Sequence, residues 1–447
     1  MVAVIDPLRC SLVTSFPRNF THALDRRAQR RRCSSSTTTS TMAEQPFKIS
    51  VSNDVLARLK AKLDLVDFPD ELDDAGWAYG APLADIKRLV ARWKDGYDWR
   101  KHEKALNDEL PQFTRDVEVD GFGTLNIHYV HLRSDADDAI PLLFVHGWPG
   151  SFFEVRKLAP FLVKGSPGQP RFHVVALSLP GYGFSEAPKK KGFQTAQYAE
   201  VGHKVMLALG YSQYVTQGGD WGGLICRKIA YMYGPKHVKA WHTNLPAAGP
   251  PEFSLNPWRL LTSASMILAL AWMSKEDKAA LQRTMEVDRT GRGYFRIQAT
   301  KPQTLGYSLA DSPVGLLAWI YEKLVAWTDD YPWDDDEILT WVAIYAFSRA
   351  GPAASLRIYY ETSQEKDLMS AHAGCPTVAM GVSFFPKEII SLPRNWVRRM
   401  GNVVFESTQT AGGHFAAYEV PELLAGDLRK MFGRGGPAEA AVAGLRT

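Results

Sequence analysis

The sequence predicts an α/β protein: a doubly wound, mostly parallel sheet with a helical cap insertion, preceded by an N-terminal helical meander. Three observations point there. Short, continuous apolar runs recur along the chain, as expected of strands buried on both faces. Helical periodicities separate these runs, and strand alternating with helix is the pattern of a parallel sheet. Between Leu245 and Ala373 the alternation stops and one helical pattern follows another, so the sheet is interrupted by an all-helical segment.

At 447 residues, one large α/β domain with a smaller insertion fits better than several equal domains. Residues 1–45 are read as a disordered or targeting extension. They include Arg18, Arg26, Arg27, Arg30, Arg31 and Arg32, a Ser/Thr tract over 34–41, and only Asp6 and Asp25 as acids before Thr41. Such a segment is either an organelle transit peptide or an extension upstream of a start at Met42.

The meander is assigned to 46–115. It opens on a strand-like alternation, Phe47-Lys48-Ile49-Ser50-Val51. Ser52, Asn53 and Asp54 then offer N-cap side chains to a helix with Val55, Leu56, Leu59 and Leu63 on one face. Further helices are expected over 84–95 and 99–107.

The first part of the core spans 116–246. It begins with a hairpin over 116–133, turning at Asp120-Gly121-Phe122-Gly123. Strand runs follow at 141–145, 172–179, 211–216 and 238–243, with helices over 195–209 and 224–233. The cap, 247–372, carries helices over 258–272, 311–327 and 336–348. The second part of the core, 373–435, adds strands at 377–382 and 402–406 and an amphipathic helix at 421–432; a tail, 436–447, closes the chain.

Composition narrows the class. Hydrophobic content of 45% with 22% charged residues is ordinary for a soluble globular protein. The net charge of +4 is small and basic residues are scattered beyond the N-terminus, so no nucleic-acid partner is expected. The longest apolar run, 260–273, is broken by Thr262, Ser263 and Ser265 and falls short of the ~20 residues of a spanning helix. No integral membrane anchor is expected. Cys10, Cys33, Cys226 and Cys375 lack metal-ligand spacing. Cys226 and Cys375 read as buried thiols of a reducing compartment, which suits a cytoplasmic protein, with mitochondria as the alternative if the Arg-rich segment is a transit peptide.

The chemistry is expected at the carboxyl ends of the strands, where loops leave an open parallel sheet. The run at 211–216 leads into Gln217-Gly218-Gly219-Asp220-Trp221-Gly222-Gly223. Glycines flanking a central residue permit a sharp strand-to-helix turn that exposes a strained nucleophile. Here the nucleophile is Asp220. A carboxylate needs no base to attack a saturated carbon that bears a leaving group. The plain alternative is a helix-capping aspartate.

His146-Gly147-Trp148-Pro149-Gly150 follows an earlier strand. The backbone N–H groups of Trp148 and Trp221 are the expected oxyanion hole, and His146 reads as a packing residue. Hydrolysis of an ester needs a base. His414, in the small-residue loop Ala411-Gly412-Gly413-His414-Phe415-Ala416-Ala417 after the last strand, suits it better than His173, His203 or His237. Glu388 is the expected acid partner and Glu406 its rival. The order Asp220, Glu388, His414 matches the nucleophile–acid–histidine order of the α/β-hydrolase fold. Asp334, Asp335, Asp336 and Glu337 precede a helix and suit its positive end rather than a metal site. Gly181-Tyr182-Gly183 lacks the context of a phosphate loop.

These segments resemble epoxide hydrolases of the microsomal and fungal type. The likeness is carried by HGWPGSFFE (146–154), LPGYGFS (179–185), GGDWGG (218–223), DSPVGLLAW (311–319), FFPKE (384–388) and GGHFAAYE (412–419), and it extends over about 47–432. The resemblance implies a small-molecule epoxide substrate, no metal or organic cofactor, an aspartate nucleophile with a histidine–acid pair, and two cap tyrosines that polarise the epoxide oxygen. By motif position the tyrosines are Tyr294 and Tyr359, with Tyr360 left open as the alternative to Tyr359. Microsomal members carry an N-terminal membrane helix that this chain does not show, so membrane residence is not carried over.

Two other readings stand beside this one. A haloalkane or haloacid dehalogenase shares the aspartate and the following tryptophan, and Trp148 and Trp221 could serve its halide; the cap tyrosines separate it. A catalytically silent, cap-gated binding protein would bind ligand without turnover. A homodimer is compatible with a wrapping meander.

Overall fold

Strands β4 (Ile140–Val145) and β6 (Tyr214–Gly218) have every residue buried: β4 is an unbroken apolar run with no polar face to turn to water, while β6 buries Thr216 and Gln217 beside it. They pair in parallel at the centre of the sheet. The computed structural model describes residues 44–165, 168–247, 273–365 and 375–445. The transit or start-site alternatives before Met42, the apolar run to residue 272 and the expected helix over 258–272 lie outside the described residues.

The remaining strands are β1 (Gln45–Phe47), β2 (Gln112–Val119), β3 (Gly123–Leu132), β5 (Phe172–Leu177), β7 (Val238–Thr243), β8 (Ala379–Phe384) and β9 (Asn402–Thr408), and the sheet order is β1-β2-β3-β5-β4-β6-β7-β8-β9. Pairings from β1 to β5 are antiparallel and those from β5 to β9 are parallel. The carboxyl ends of β4, β6, β8 and β9 therefore share one edge. The 119–123 turn of the hairpin uses Gly121 and Gly123 at φ 77° and 81°, a region that glycine enters without Cβ strain.

Helices α1 (Asn53–Asp64), α2 (Leu83–Asp95) and α3 (Trp99–Glu109) make the meander, and α4 (Val155–Val163), α5 (Thr195–Ala208) and α6 (Asp220–Tyr233) flank the sheet. Among the described residues, six α-helices lie between β7 and β8: α7 (Lys275–Thr290), α8 (Gly293–Thr300), α9 (Pro302–Asp311), α10 (Pro313–Ala326), α11 (Asp335–Ala346) and α12 (Arg357–Ser363). Helix α13 (Pro421–Phe432) closes the core. The meander is fastened to the cap helices by polar contacts. Arg92 donates to both carboxylate oxygens of Asp336 at 2.9 and 3.0 Å, Tyr97 meets Thr340 at 3.1 Å, and Lys62 meets Asp311. No described helix is long and apolar enough to cross a membrane.

Four local expectations are corrected. The alternation over 47–51 is not a strand beyond Phe47; the N–H groups of Ile49 and Val51 go instead to the side chains of Asn107 and Glu103 on α3. Residues 211–213 form a turn after Gly210 (φ 88°), so β6 starts at Tyr214. Helix α6 starts at Asp220 rather than at Leu224, because glycines 222 and 223 are helical here. Cys226 is buried, but Cys375 is exposed, since it precedes β8 rather than entering it.

Candidate active site

The turn from β6 into α6 presents Asp220 with φ of 48°, a backbone region that costs energy for a residue with a Cβ. The flanking glycines make this turn possible by close approach. A Cβ on Gly222 would lie 1.8 Å from the Val145 carbonyl oxygen, and one on Gly218 would lie 2.6 Å from the backbone of Gly222. The 146–150 loop comes equally near from β4: a Cβ on Gly147 would sit 2.2 Å from Asp220 Oδ1. Glycine at these positions lets the end of β4, its loop and the start of α6 meet around one carboxylate.

Asp220 Oδ1 accepts a hydrogen bond from the backbone N–H of Trp148 at 2.8 Å. Asp220 Oδ2 lies 3.3 Å from His414 Nε2. His414 Nδ1 meets Glu388 Oε1 at 2.6 Å, and that oxygen also accepts the N–H of Ile389 at 2.7 Å. Three strand ends thus deliver the ordered trio into one contact chain, with Glu388 and His414 both buried. Trp221 follows Asp220 in the first turn of α6, where N–H groups lack intrahelical partners. Burial opposes a charge on His414, but Glu388 and Asp220 outweigh it, so its pKa stands well above the usual imidazole value.

Tyr294 on α8 and Tyr359 on α12 converge on the same place. Their rings are 5.9 Å apart. Trp148 stacks on Tyr294 at 5.3 Å and meets Tyr359 edge-on at 5.7 Å, while Trp221 meets Tyr359 at 4.9 Å. A cavity of about 100 Å³ is walled by Asp220, Trp221, Leu224, Tyr294, Phe295 and Tyr359, among others. Burial, reinforced by Asp220, pushes the Tyr294 hydroxyl above the ordinary phenol value; burial, with Tyr294 and Asp220, does the same for Tyr359. Tyr360, by contrast, is 37% exposed. A larger cleft of about 880 Å³ opens between α1 and α10 and holds none of these groups.

The other singled-out residues lie elsewhere. His146 is a buried bridge, its Nδ1 on the Gly147 carbonyl and its Nε2 accepting from Leu179 N–H, and burial lowers its pKa to about 4. Glu406 is held by Arg398 at 2.6 and 2.9 Å. Asp334 caps α11 through Asp336 N–H. Tyr182 donates to the Ser355 carbonyl at 3.3 Å.

Three supporting residues were not singled out from the sequence. Glu419 accepts from the N–H groups of Gly413, Phe415 and Asp329 at 2.9–3.0 Å and so braces the His414 loop. Arg283 on α7 donates to the carbonyls of Lys387 and Glu388 at 2.7 and 2.9 Å, tying the cap to the acid loop. Glu154 lines a small cavity together with Asp220 and His414. Two of the three had a visible signal: Glu154 and Glu419 are the acids that end the segments HGWPGSFFE and GGHFAAYE. Arg283 had none.

The chain is similar in sequence and fold to known proteins. Residues 44–155 match the family model described as the epoxide hydrolase N terminus, and residues 140–294 match that of the alpha/beta hydrolase fold. Epoxide hydrolase 1 of Sus scrofa is 34% identical over 416 residues, covering 87% of this chain and 88% of that protein. The structure of Aspergillus niger epoxide hydrolase superposes with a TM-score of 0.74 at 31% identity, covering 91% of this chain and 97% of that one. Juvenile hormone epoxide hydrolase from the silkworm Bombyx mori gives 0.77 at 29% identity, over 91% and 96% of the two chains. Sequence and fold agree over most of the length, and the chain belongs to the epoxide hydrolase family of α/β-hydrolases.

Proposed function

We propose that the chain converts an epoxide and water to a vicinal diol through an ester on Asp220, without a metal or organic cofactor. In the first step Asp220 Oδ2 attacks a ring carbon, the carbon–oxygen bond of the epoxide breaks, and its oxygen leaves as an alkoxide. The carrying observation is the division of labour on this carboxylate. Oδ1 is engaged by Trp148 N–H at 2.8 Å, while Oδ2 lies 3.3 Å from His414 Nε2. Tyr294 and Tyr359, raised above the ordinary phenol value, stay protonated at neutral pH and hydrogen-bond the epoxide oxygen. One of them gives the alkoxide its proton, since an alkoxide is the stronger base, and recovers it from solvent.

The second step uses a change that the first one makes. Ester formation removes the negative charge beside His414, and with it one of the two charges that hold its pKa up. His414 then loses its Nε2 proton to solvent and acts as a base, with Glu388 holding Nδ1–H. Water gives a proton to Nε2 and its oxygen attacks the ester carbonyl carbon. Oδ1 becomes the oxyanion, held by the N–H groups of Trp148 and Trp221. Collapse breaks the bond to the diol oxygen, which takes the proton from His414; the acid left on Asp220 then passes its remaining proton to His414 and restores the starting carboxylate–imidazolium pair.

The test is chemistry without the base in one variant. His414→Gln, mixed with styrene oxide and quenched in acid, should gain the mass of one epoxide on the peptide that contains Asp220. Wild-type-rate turnover, or an absence of adduct at any time, would refute the ester.

A further inference from the structure

Beside Asp220, separate from the tyrosine-lined cavity, lies a smaller one. It is bounded by Asp220, His414, Glu154, Gln217 and Asn244 with the ring of Phe144. Its volume is about 10 Å³, close to the room that one water needs. Five polar or charged side chains line it, and polar partners are the condition for a cavity of this size to hold water rather than stay dry. Gln217 gives its Nε2 to Asn244 at 2.9 Å, and its buried Oε1 has no hydrogen-bond partner among the described residues.

Glu154 is brought here at a steric cost that the sequence accommodates. It ends the short turn Phe152–Glu154 that follows the 146–150 loop. A Cβ on Gly150 would lie 1.6 Å from Glu154 Oε1, so glycine at 150 is what lets the carboxyl fold back under the loop. Glu154 has no lysine or arginine ion-pair partner among the described residues, and a buried carboxyl so placed is costly as an anion. Burial accordingly raises its pKa to about 8, with the charge of His414 and the backbone N–H groups of Ser151 and Gly147 opposing the rise. Near neutral pH it is therefore mostly a neutral acid and adds no full second charge beside Asp220.

We propose that Glu154 holds the hydrolytic water: its carboxyl oxygen accepts one water hydrogen while His414 Nε2 accepts the other. A water that donates both hydrogens sideways turns a lone pair toward the Asp220 ester carbon. The proton that moves is the water hydrogen held by His414 Nε2, which passes to that nitrogen; Glu154 neither gains nor loses one. This assignment rests on the ester reading above. It concerns the second half-reaction only, because the epoxide approaches from the tyrosine side and meets Oδ2 without this water.

The two half-reactions separate in a rapid-mixing experiment with styrene oxide, reading ester by intact mass and diol by product analysis. Glu154→Ala should form the ester at a rate within about twofold of wild type, yet hydrolyse it about 10- to 100-fold more slowly, the range expected for a misplaced reactant. Ester then accumulates in the steady state. Glu154→Gln keeps a neutral acceptor of the same shape and should restore hydrolysis at least tenfold over Glu154→Ala, by the same positioning logic. Equal loss of both half-reactions, wild-type hydrolysis in Glu154→Ala, or Glu154→Gln as slow as Glu154→Ala would overturn the assignment. Should Glu154→Ala not fold, Glu154→Met supplies the variant without an acceptor and is read against Glu154→Gln in the same way. Failure of the ester itself is seen independently, as no adduct in His414→Gln.

Discussion

Gly222→Ala adds one methyl group at the tightest point of the turn. The new Cβ would lie 1.8 Å from the Val145 carbonyl oxygen, 2.6 Å from its carbon and 2.8 Å from the His146 oxygen. All three are backbone atoms, so no side chain can swing aside. A carbon–oxygen contact relaxes to about 3.3 Å, and the start of α6 and the end of β4 must therefore part by roughly 1.5 Å. Asp220 stands two residues before Gly222, and its partners Trp148 N–H and His414 Nε2 are set at 2.8 and 3.3 Å. A misplacement of about 1 Å costs on the order of 100-fold in rate, so kcat for diol formation should fall at least that far. Overpacking costs about 1–3 kcal/mol, and contact against rigid backbone places this variant at the upper end. Gly426→Ala is the control: it lies inside α13 with nothing within 4 Å of the added carbon. There the substitution should stabilise by up to about 1 kcal/mol and leave turnover unchanged. The assay is initial-rate diol formation beside thermal unfolding of both variants. A Gly222→Ala protein with wild-type kcat and midpoint refutes the close-approach argument.

Two further predictions concern the same carboxylate. Tyr294→Phe and Tyr359→Phe should each slow ester formation by about 100-fold or more, the usual worth of one positioned donor. Tyr360→Phe, at an exposed position, should leave it unchanged; a loss in Tyr360→Phe equal to that in Tyr359→Phe would reverse the choice between them. Asp220→Asn removes one of the two charges that raise the His414 pKa, so its imidazole should titrate at lower pH than in wild type, as NMR can follow. Because a raised histidine pKa adds stability in full below the unfolded imidazole value and loses it through the folded one, the His414 share of the stability gap between the two proteins should shrink as pH rises through the wild-type value. An unmoved titration would show that Asp220 does not act on His414.

Much of the site was legible because its chemistry is local in the chain. The glycine-flanked Asp220 turn, the small-residue loop around His414 and the 146–150 loop are each set by a few adjacent residues and by steric rules that do not depend on distant partners. The strand run at β4 was legible for the same reason, since it is an unbroken apolar stretch buried along its whole length. Element starts were less so: α6 begins at Asp220 because β4 packs against its glycines, and a glycine pair in isolation reads as a loop.

Packing separates residues that the linear order leaves equivalent. Tyr359 and Tyr360 are neighbours in sequence and identical in chemistry; α12 turns one toward Trp148 and Trp221 and the other toward solvent. Arg283 reaches the Glu388 loop across 105 residues, with no local pattern to announce it. Glu154 ended a recognisable segment but acquired its place only when Gly150 allowed it to fold beneath Asp220. Residue type and spacing fixed which groups could react. The sheet and cap fixed which of them share a cavity, because distance between side chains and access to water are properties of the packed chain and not of its order.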